Sequence, residues 1–365
     1  MSLTSYRAAP PRANVSFRGR RWRGAFRFER RARYSGGARG AQAPLGLWIS
    51  SVFTDEPGAF CGGARRAMVA LAFTQRTLVM RLLVLSALAL AACTKAPEAH
   101  KEESAPAIER KVDAMRLYVF DCGRIDVSNM GIFGAAYEGE RRAMADTCYL
   151  VRHPQGDLMW DAGLPDAIAG APDGVVDGVF KITVPKTLQG QLERIGAPPA
   201  AIEFFSISHS HFDHVGNGNL FKDATFIVNE RERAHMFRPE ARQDAQAFSG
   251  YSELEAAKKA TFTDSYDVFG DGKVIIVAMP GHTPGHSVLL VNLEHSGPIL
   301  LTGDLYHLTP ARENKTVPTF NTDADETLRS MEKFEQLARD AGARVIIQHE
   351  MADFENLPRA PAYLD

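Results

Sequence analysis

The sequence predicts an α/β domain of stacked sheets with helices on the outside, occupying residues 115–365. Three observations carry this reading. Short apolar runs bounded by Gly, Pro and Asp recur through this part of the chain, as strands do. An amphipathic helix follows over residues 323–341. Strands come first and are then mixed with helices, an order that suits sheets packed face to face and covered by helices. About 250 residues are enough for one large core, and no internal repeat or second domain is visible.

The segment before this domain differs in kind. The whole chain has 365 residues and a net charge of -2, but residues 1–79 hold 14 Arg, no Lys and three acids, a local +11. Residues 94–365 carry -14, and all 11 His lie after position 99. Such asymmetry marks two segments of different origin. Residues 1–79 sustain no apolar period and read as a disordered or untranslated upstream segment. At Met80 the chain shows one Arg, an apolar run of 11 residues (82–92, with one Ser) and then Cys93. That run is too short to span a membrane, which takes about 20 apolar residues. It fits a secretory signal over 80–93, and Leu90-Ala91-Ala92-Cys93 resembles a bacterial lipobox. The resemblance implies cleavage before Cys93, a lipid anchor on it, translation from Met80 or alternatively Met68, and an exported, periplasm-facing lipoprotein. Residues 94–114 are polar and aperiodic, as a tether would be. The acidic remainder argues against a nucleic-acid partner, since phosphates want a basic face.

Within the domain, strands are expected at 117–121, 148–152, 157–161, 204–208, 225–229, 273–278, 287–293, 298–302 and 344–348. The helix over 323–341 places Leu328, Met331, Phe334, Leu337 and Ala341 at three- and four-residue spacing. Asn321 and Thr322 offer its N-cap, and Gly342 its stop. Residues 188–195 read as a shorter helix. Residues 123–147 show no strong pattern and read as a long loop, with Met130, Ile132, Phe133 and Tyr137 either forming an apolar wall or packing beneath it. Cys122 directly follows the first predicted strand and Cys148 opens the second, placed to form a disulfide or to remain two buried thiols.

The chemistry-bearing text is His209-Ser210-His211-Phe212-Asp213-His214, directly after an apolar strand. Four metal-capable side chains in six residues, on the loop leaving a strand, are hard to explain by packing. His282, Asp304 and His349 each stand at the exit of a further predicted strand, so several strand ends would converge on one sheet edge. Seven ligands are too many for one ion and suit two ions sharing a carboxylate.

This HxHxDH pattern, with the later His, Asp and His in order, resembles the metallo-β-lactamase superfamily over nearly all of residues 115–365. The resemblance implies a four-layer αββα sandwich with two divalent ions, Zn2+ first among them, at one edge of the sheets. By position, His209, His211 and His282 would hold one ion, Asp213, His214 and His349 the other, and Asp304 would bridge. His286 would stand behind the ligands. The long first loop, the segment Asp304-Leu305-Tyr306-His307 and the short tail after His349 most resemble N-acyl homoserine lactonases. Well-known members place a Tyr three residues after the bridging Asp, whereas here that position is His307 and Tyr306 precedes it. The implied reaction is opening of a lactone ring by a metal-activated hydroxide. Tyr306 or His307 would donate to the carbonyl oxygen, and Asp213 would pass a proton to the leaving alkoxide. A β-lactamase, thioesterase or phosphotriesterase on the same site is the alternative. No G-x-S-x-G elbow points to a serine nucleophile. Oligomeric state is not legible.

Overall fold

The computed structural model describes residues 112–365. The upstream segment, the signal with Cys93 and nearly all of the tether lie outside the described residues.

Among the described residues fourteen strands follow in chain order: β1 (Arg116–Val127), β2 (Arg142–His153), β3 (Gly156–Trp160), β4 (Val175–Asp177), β5 (Phe180–Thr183), β6 (Phe204–Ser206), β7 (Thr225–Asn229), β8 (Lys259–Phe262), β9 (Ser265–Asp267), β10 (Val274–Ala278), β11 (Ser287–Asn292), β12 (Pro298–Leu301), β13 (Arg344–Ile346) and β14 (Tyr363–Leu364). Seven α-helices accompany them: α1 (Leu188–Arg194), α2 (Phe212–Val215), α3 (Glu230–Met236), α4 (Ala245–Ser249), α5 (Thr309–Asn314), α6 (Ala324–Ala341) and α7 (Met351–Asn356). One sheet runs β4-β5-β1-β2-β3-β6-β7-β8, with β14 also paired to β1. The other runs β13-β12-β11-β10-β9.

Alternation along the strands explains the layering. In β1, Leu117 and Val119 face the second sheet, meeting Val274, Ile276, Leu289 and Val291. Tyr118, Phe120 and Cys122 face the other way, onto Leu188 and Leu192 of α1. In β10, Ile275 and Val277 face outward under Met331, Phe334 and Ala338 of α6. Each fully buried side chain of this size is worth about 1.5–3 kcal/mol. The result is the αββα sandwich that the resemblance implies. Among the described residues no helix is long and apolar enough to cross a membrane.

Three expectations are corrected. The segment 123–147 is a loop only over residues 128–141: β1 continues to Val127 and β2 begins at Arg142. A bulge between Asp121 and Gly123 shifts the register, and this interrupts the apolar pattern that would reveal the continuation. Between these strands Met130, Phe133 and Tyr137 are buried. The N-cap of α6 is Asp323, whose side chain accepts from the Glu326 amide; neither Asn321 nor Thr322 caps it. Five strands, β4, β5, β8, β9 and β14, were not anticipated; they are short, two to four residues, and carry only weak alternation. Gly342 ends α6 in the left-handed conformation at φ 59°, as its position suggests. Cys122 and Cys148 form a disulfide tying the bulge of β1 to β2.

Candidate metal centre

The strand exits of both sheets meet at one edge. His209 and His211 follow β6, Asp213 and His214 lie on α2, His282 follows β10, Asp304 follows β12 and His349 follows β13. Gly303 makes the turn that delivers Asp304. Its φ is 50°, and a Cβ there would stand 2.6 Å from the His286 ring and 2.7 Å from Ser208.

The side chains form two groups, each with ligand atoms within 4.8 Å of one another: His209, His211, His282 and Asp304, and beside them Asp213, His214 and His349. In the first, His282 Nε2 lies 3.1 Å from both His209 Nε2 and His211 Nδ1. In the second, the Nε2 atoms of His214 and His349 are 3.2 Å apart. Asp213 is nearby, its oxygens 3.7 Å from His349 and 3.9 Å from His214. Asp304 reaches both groups with different atoms. Oδ1 lies 3.0 Å from His214 and 2.9 Å from His349. Oδ2 lies 3.5 Å from His209 and 3.4 Å from His282.

The other ring nitrogens show what these atoms present. His349 Nδ1 donates to the Ala145 carbonyl at 2.7 Å, so its Nε2 is the nitrogen left to bind. His282 Nδ1 donates to Asn321 Oδ1 at 2.9 Å. That amide is oriented because its nitrogen donates to Thr327 Oγ1, whose own proton goes to the Asp323 carbonyl. His214 Nδ1 donates to Asp161 Oδ2 at 3.0 Å. Nitrogen lone pairs thus converge on each other and on a carboxylate, and Asp304 Oδ1 is buried with no hydrogen-bond partner. Such a cluster is satisfied by cations. The pKa directions agree. Burial holds His209 and His211 well below the usual imidazole range, hence neutral. Burial also opposes charge on His214 and His349, but Asp304 with Asp161 lifts His214 well above that range, and Asp304 lifts His349 to about 9. Burial would raise Asp304 as well, yet the imidazoles, His214 foremost, hold it well below the carboxylate range. The carboxylates therefore call for positive charge at these nitrogens. His/Asp groups of this kind are able to bind metal.

A family model described as the metallo-beta-lactamase superfamily matches residues 142–349. The chain belongs to the metallo-beta-lactamase superfamily. The N-acyl homoserine lactonase AttM of Azorhizobium caulinodans is 31% identical over 264 residues, covering 69% of this chain and 99% of that one. The AttM lactonase of Rhizobium johnstonii is 30% identical over 262 residues, covering 68% and 98%. A solved N-acyl homoserine lactone hydrolase, with the product N-hexanoyl-L-homoserine at its catalytic metal center, shares the fold. Its TM-score is 0.58 at 24% identity, over 69% of this chain and 99% of that one.

In this superfamily member the residues after Asp304 separate. His307 turns inward, with Nε2 3.0 Å from Asp304 Oδ2 and its ring 4.9 Å from Phe133. Tyr306 turns outward, packing on Phe334 and donating to Glu335 Oε1 at 3.2 Å. The expectation that Tyr306 reaches a substrate carbonyl is thereby corrected: consecutive residues in an extended segment point to opposite sides. His286 donates from Nδ1 to the Met279 carbonyl and accepts the Asp304 amide on Nε2 at 2.9 Å. Burial pushes its pKa down to about 3, consistent with a neutral ring making both bonds.

Several residues that matter here were not singled out as site residues in the sequence. Asp161, fully buried at a φ of 60°, accepts from Ser208 N at 2.6 Å and from both His214 and Gln348. Its only textual signal is an acid ending the strand 157–161. Asn321 orients His282 but reads as a helix cap. Asp146, beside the second group, accepts from the Leu164 amide, and burial together with Asp213 raises its pKa to about 7. It lies in the stretch taken for a loop.

Proposed function

We propose that this protein is a dimetal hydrolase that opens lactone rings, with N-acyl homoserine lactones as substrates. The observation that carries the reading is the split of Asp304, one oxygen facing each histidine group. In it, His209, His211 and His282 would hold one ion and Asp213, His214 and His349 the other, with Asp304 shared between them. Imidazole and carboxylate donors with no thiolate among them suit Zn2+, which we propose for both positions. Bound ions of this kind supply an activated water and polarise a carbonyl oxygen. The chain's own residues do the rest. Asp161, Asn321 and the Ala145 carbonyl fix the imidazole orientations. In this reading His307, buried beside Asp304, donates to the ester carbonyl; its inward position supports this. In this reading Asp213, beside His214 and His349, returns a proton to the ring oxygen, which stays tethered because the ester is cyclic. The identities of the lactonases it resembles support this substrate class.

We also propose export and anchoring through a lipid on Cys93. The lipobox-like text supports this, as does the Cys122–Cys148 disulfide, since disulfides persist mainly in oxidising compartments.

The test is hydrolysis of an N-acyl homoserine lactone by purified protein, with a cephalosporin and lactoylglutathione alongside. Lactone opening should dominate and should stop when a chelator strips the metal. Faster turnover of either comparison substrate would overturn the lactonase reading.

A further inference from the structure

Glu232, on α3, contributes no atom to either histidine group, yet it is 1% exposed. A carboxylate so deeply buried needs strong compensation. It has four hydrogen-bond donors, two on each oxygen. Oε1 accepts from the Ser210 amide at 2.8 Å and from Ser210 Oγ at 2.6 Å. Oε2 accepts from Thr283 Oγ1 at 2.7 Å and from the Gly285 amide at 2.9 Å. Ser210 stands between His209 and His211, Thr283 adjoins His282, and Gly285 adjoins His286, whose ring carries the Asp304 amide. One carboxylate therefore joins the two separate loops that supply all three imidazoles of the first group. The contact is built in at the backbone level: a Cβ on Gly285 would lie 2.2 Å from the Glu232 amide.

The second group is held by other means. His214 rests on Asp161 and Ser208, and His349 on the Ala145 carbonyl. None of these bonds passes through Glu232.

We propose that Glu232 is a positioning residue that sets the spacing of the first half-site, His209, His211 and His282, more directly than that of the second. This rests on the reading that the two groups bind metal. Glu232→Gln keeps the size of the side chain but turns one acceptor oxygen into an NH2 facing two donors. One loop is then released relative to the other, and the three imidazoles lose their common focus.

The experiment is zinc titration of metal-free full-length protein, with a competing chelator and metal analysis after dialysis. Wild type should retain two ions per chain. Glu232→Gln should retain about one, with affinity at the weakened position falling about 10–100-fold, the range expected when the hydrogen-bond support of metal ligands is removed. In the Co2+-substituted protein, the spectrum of one half-site should change and that of the other should stay. Equal loss of both ions, or two ions held with unchanged affinity, would overturn the proposal. Should Glu232→Gln not fold, Ser210→Ala with Thr283→Val removes two of the four bonds, one from each loop, and is read the same way. A wild type that retains no metal would instead overturn the dimetal reading itself.

Discussion

At the scale of single residues, the centre depends on atoms whose second bonding position is already spoken for. Asp304 is the extreme case, since its two oxygens serve different histidine groups while its amide is held by His286. Asp304→Asn replaces one oxygen by a donor, so turnover should fall more than about 100-fold and metal content should drop. Metal analysis beside the lactone assay checks this; unchanged activity would remove Asp304 from the bridging role. Asp161→Asn leaves all seven metal-capable side chains in place but weakens the support of His214. Activity should fall about 10–100-fold, with the larger loss in metal affinity at the second group. All seven metal-capable residues were legible because His and Asp at successive strand ends have no packing explanation. Asp161, Asn321 and Glu232 were not legible, because each acts through hydrogen bonds to loops distant in sequence. Tyr306 and His307 could not be told apart because they are adjacent, and only the backbone path after Asp304 decides which turns inward.

At the scale of elements, α6 connects the sandwich to the site. Its apolar stripe, Met331, Phe334 and Ala338, covers the second sheet, while Thr327 in its first turn fixes the Asn321 amide that orients His282. Phe334 is fully buried, so Phe334→Ala should cost about 3–5 kcal/mol in urea unfolding. Asp323→Ala, removing only the cap, should cost about 1 kcal/mol. A reversed order would contradict the packing described. Between α5 and α6, Arg312 donates twice to Glu335 and holds its carboxyl below the ordinary value. A lowered carboxyl pKa adds stability above the unfolded value of 4.5, and that stability fades as pH falls through the folded value. Arg312→Ala should therefore lower Tm at pH 7, with the gap to wild type narrowing below about pH 4.5. The α6 helix was legible from its period because one face is buried against a single sheet. The strands β4 and β5 were not, since a three- and a four-residue strand at a sheet edge leave almost no pattern.

At the scale of the whole molecule, the disulfide ties the first two long strands together. The Cys122–Cys148 bridge closes a loop with a sequence separation of 26, and replacing both residues by Ser should lower stability by about 3 kcal/mol. Matched denaturant melts of oxidised and reduced protein provide the check. If the anchor reading holds, cells expressing the chain should carry it in the membrane fraction, and Cys93→Ser should release it; parent protein found in the soluble fraction would end that reading. The layered architecture was foreseeable because strands alternating with helices have few ways to bury both faces. Its closure was not, since the pairing of β14 with β1 joins the two ends of the domain.

That closure has a practical side. Leu364 lies opposite Leu117 and Tyr363 opposite Tyr118, on the part of the β1 edge that β5 leaves uncovered. The Asp365 carbonyl accepts from the amides of His295 and Ser296, at 2.9 and 2.5 Å. Residues 363–365 thus work as a clasp over an open sheet edge, the kind of edge through which chains stick to one another. An affinity tag fused directly behind Asp365 would pull on that clasp, and trimming the tail would leave β1 bare. Handles for purification or immobilisation belong elsewhere on this protein.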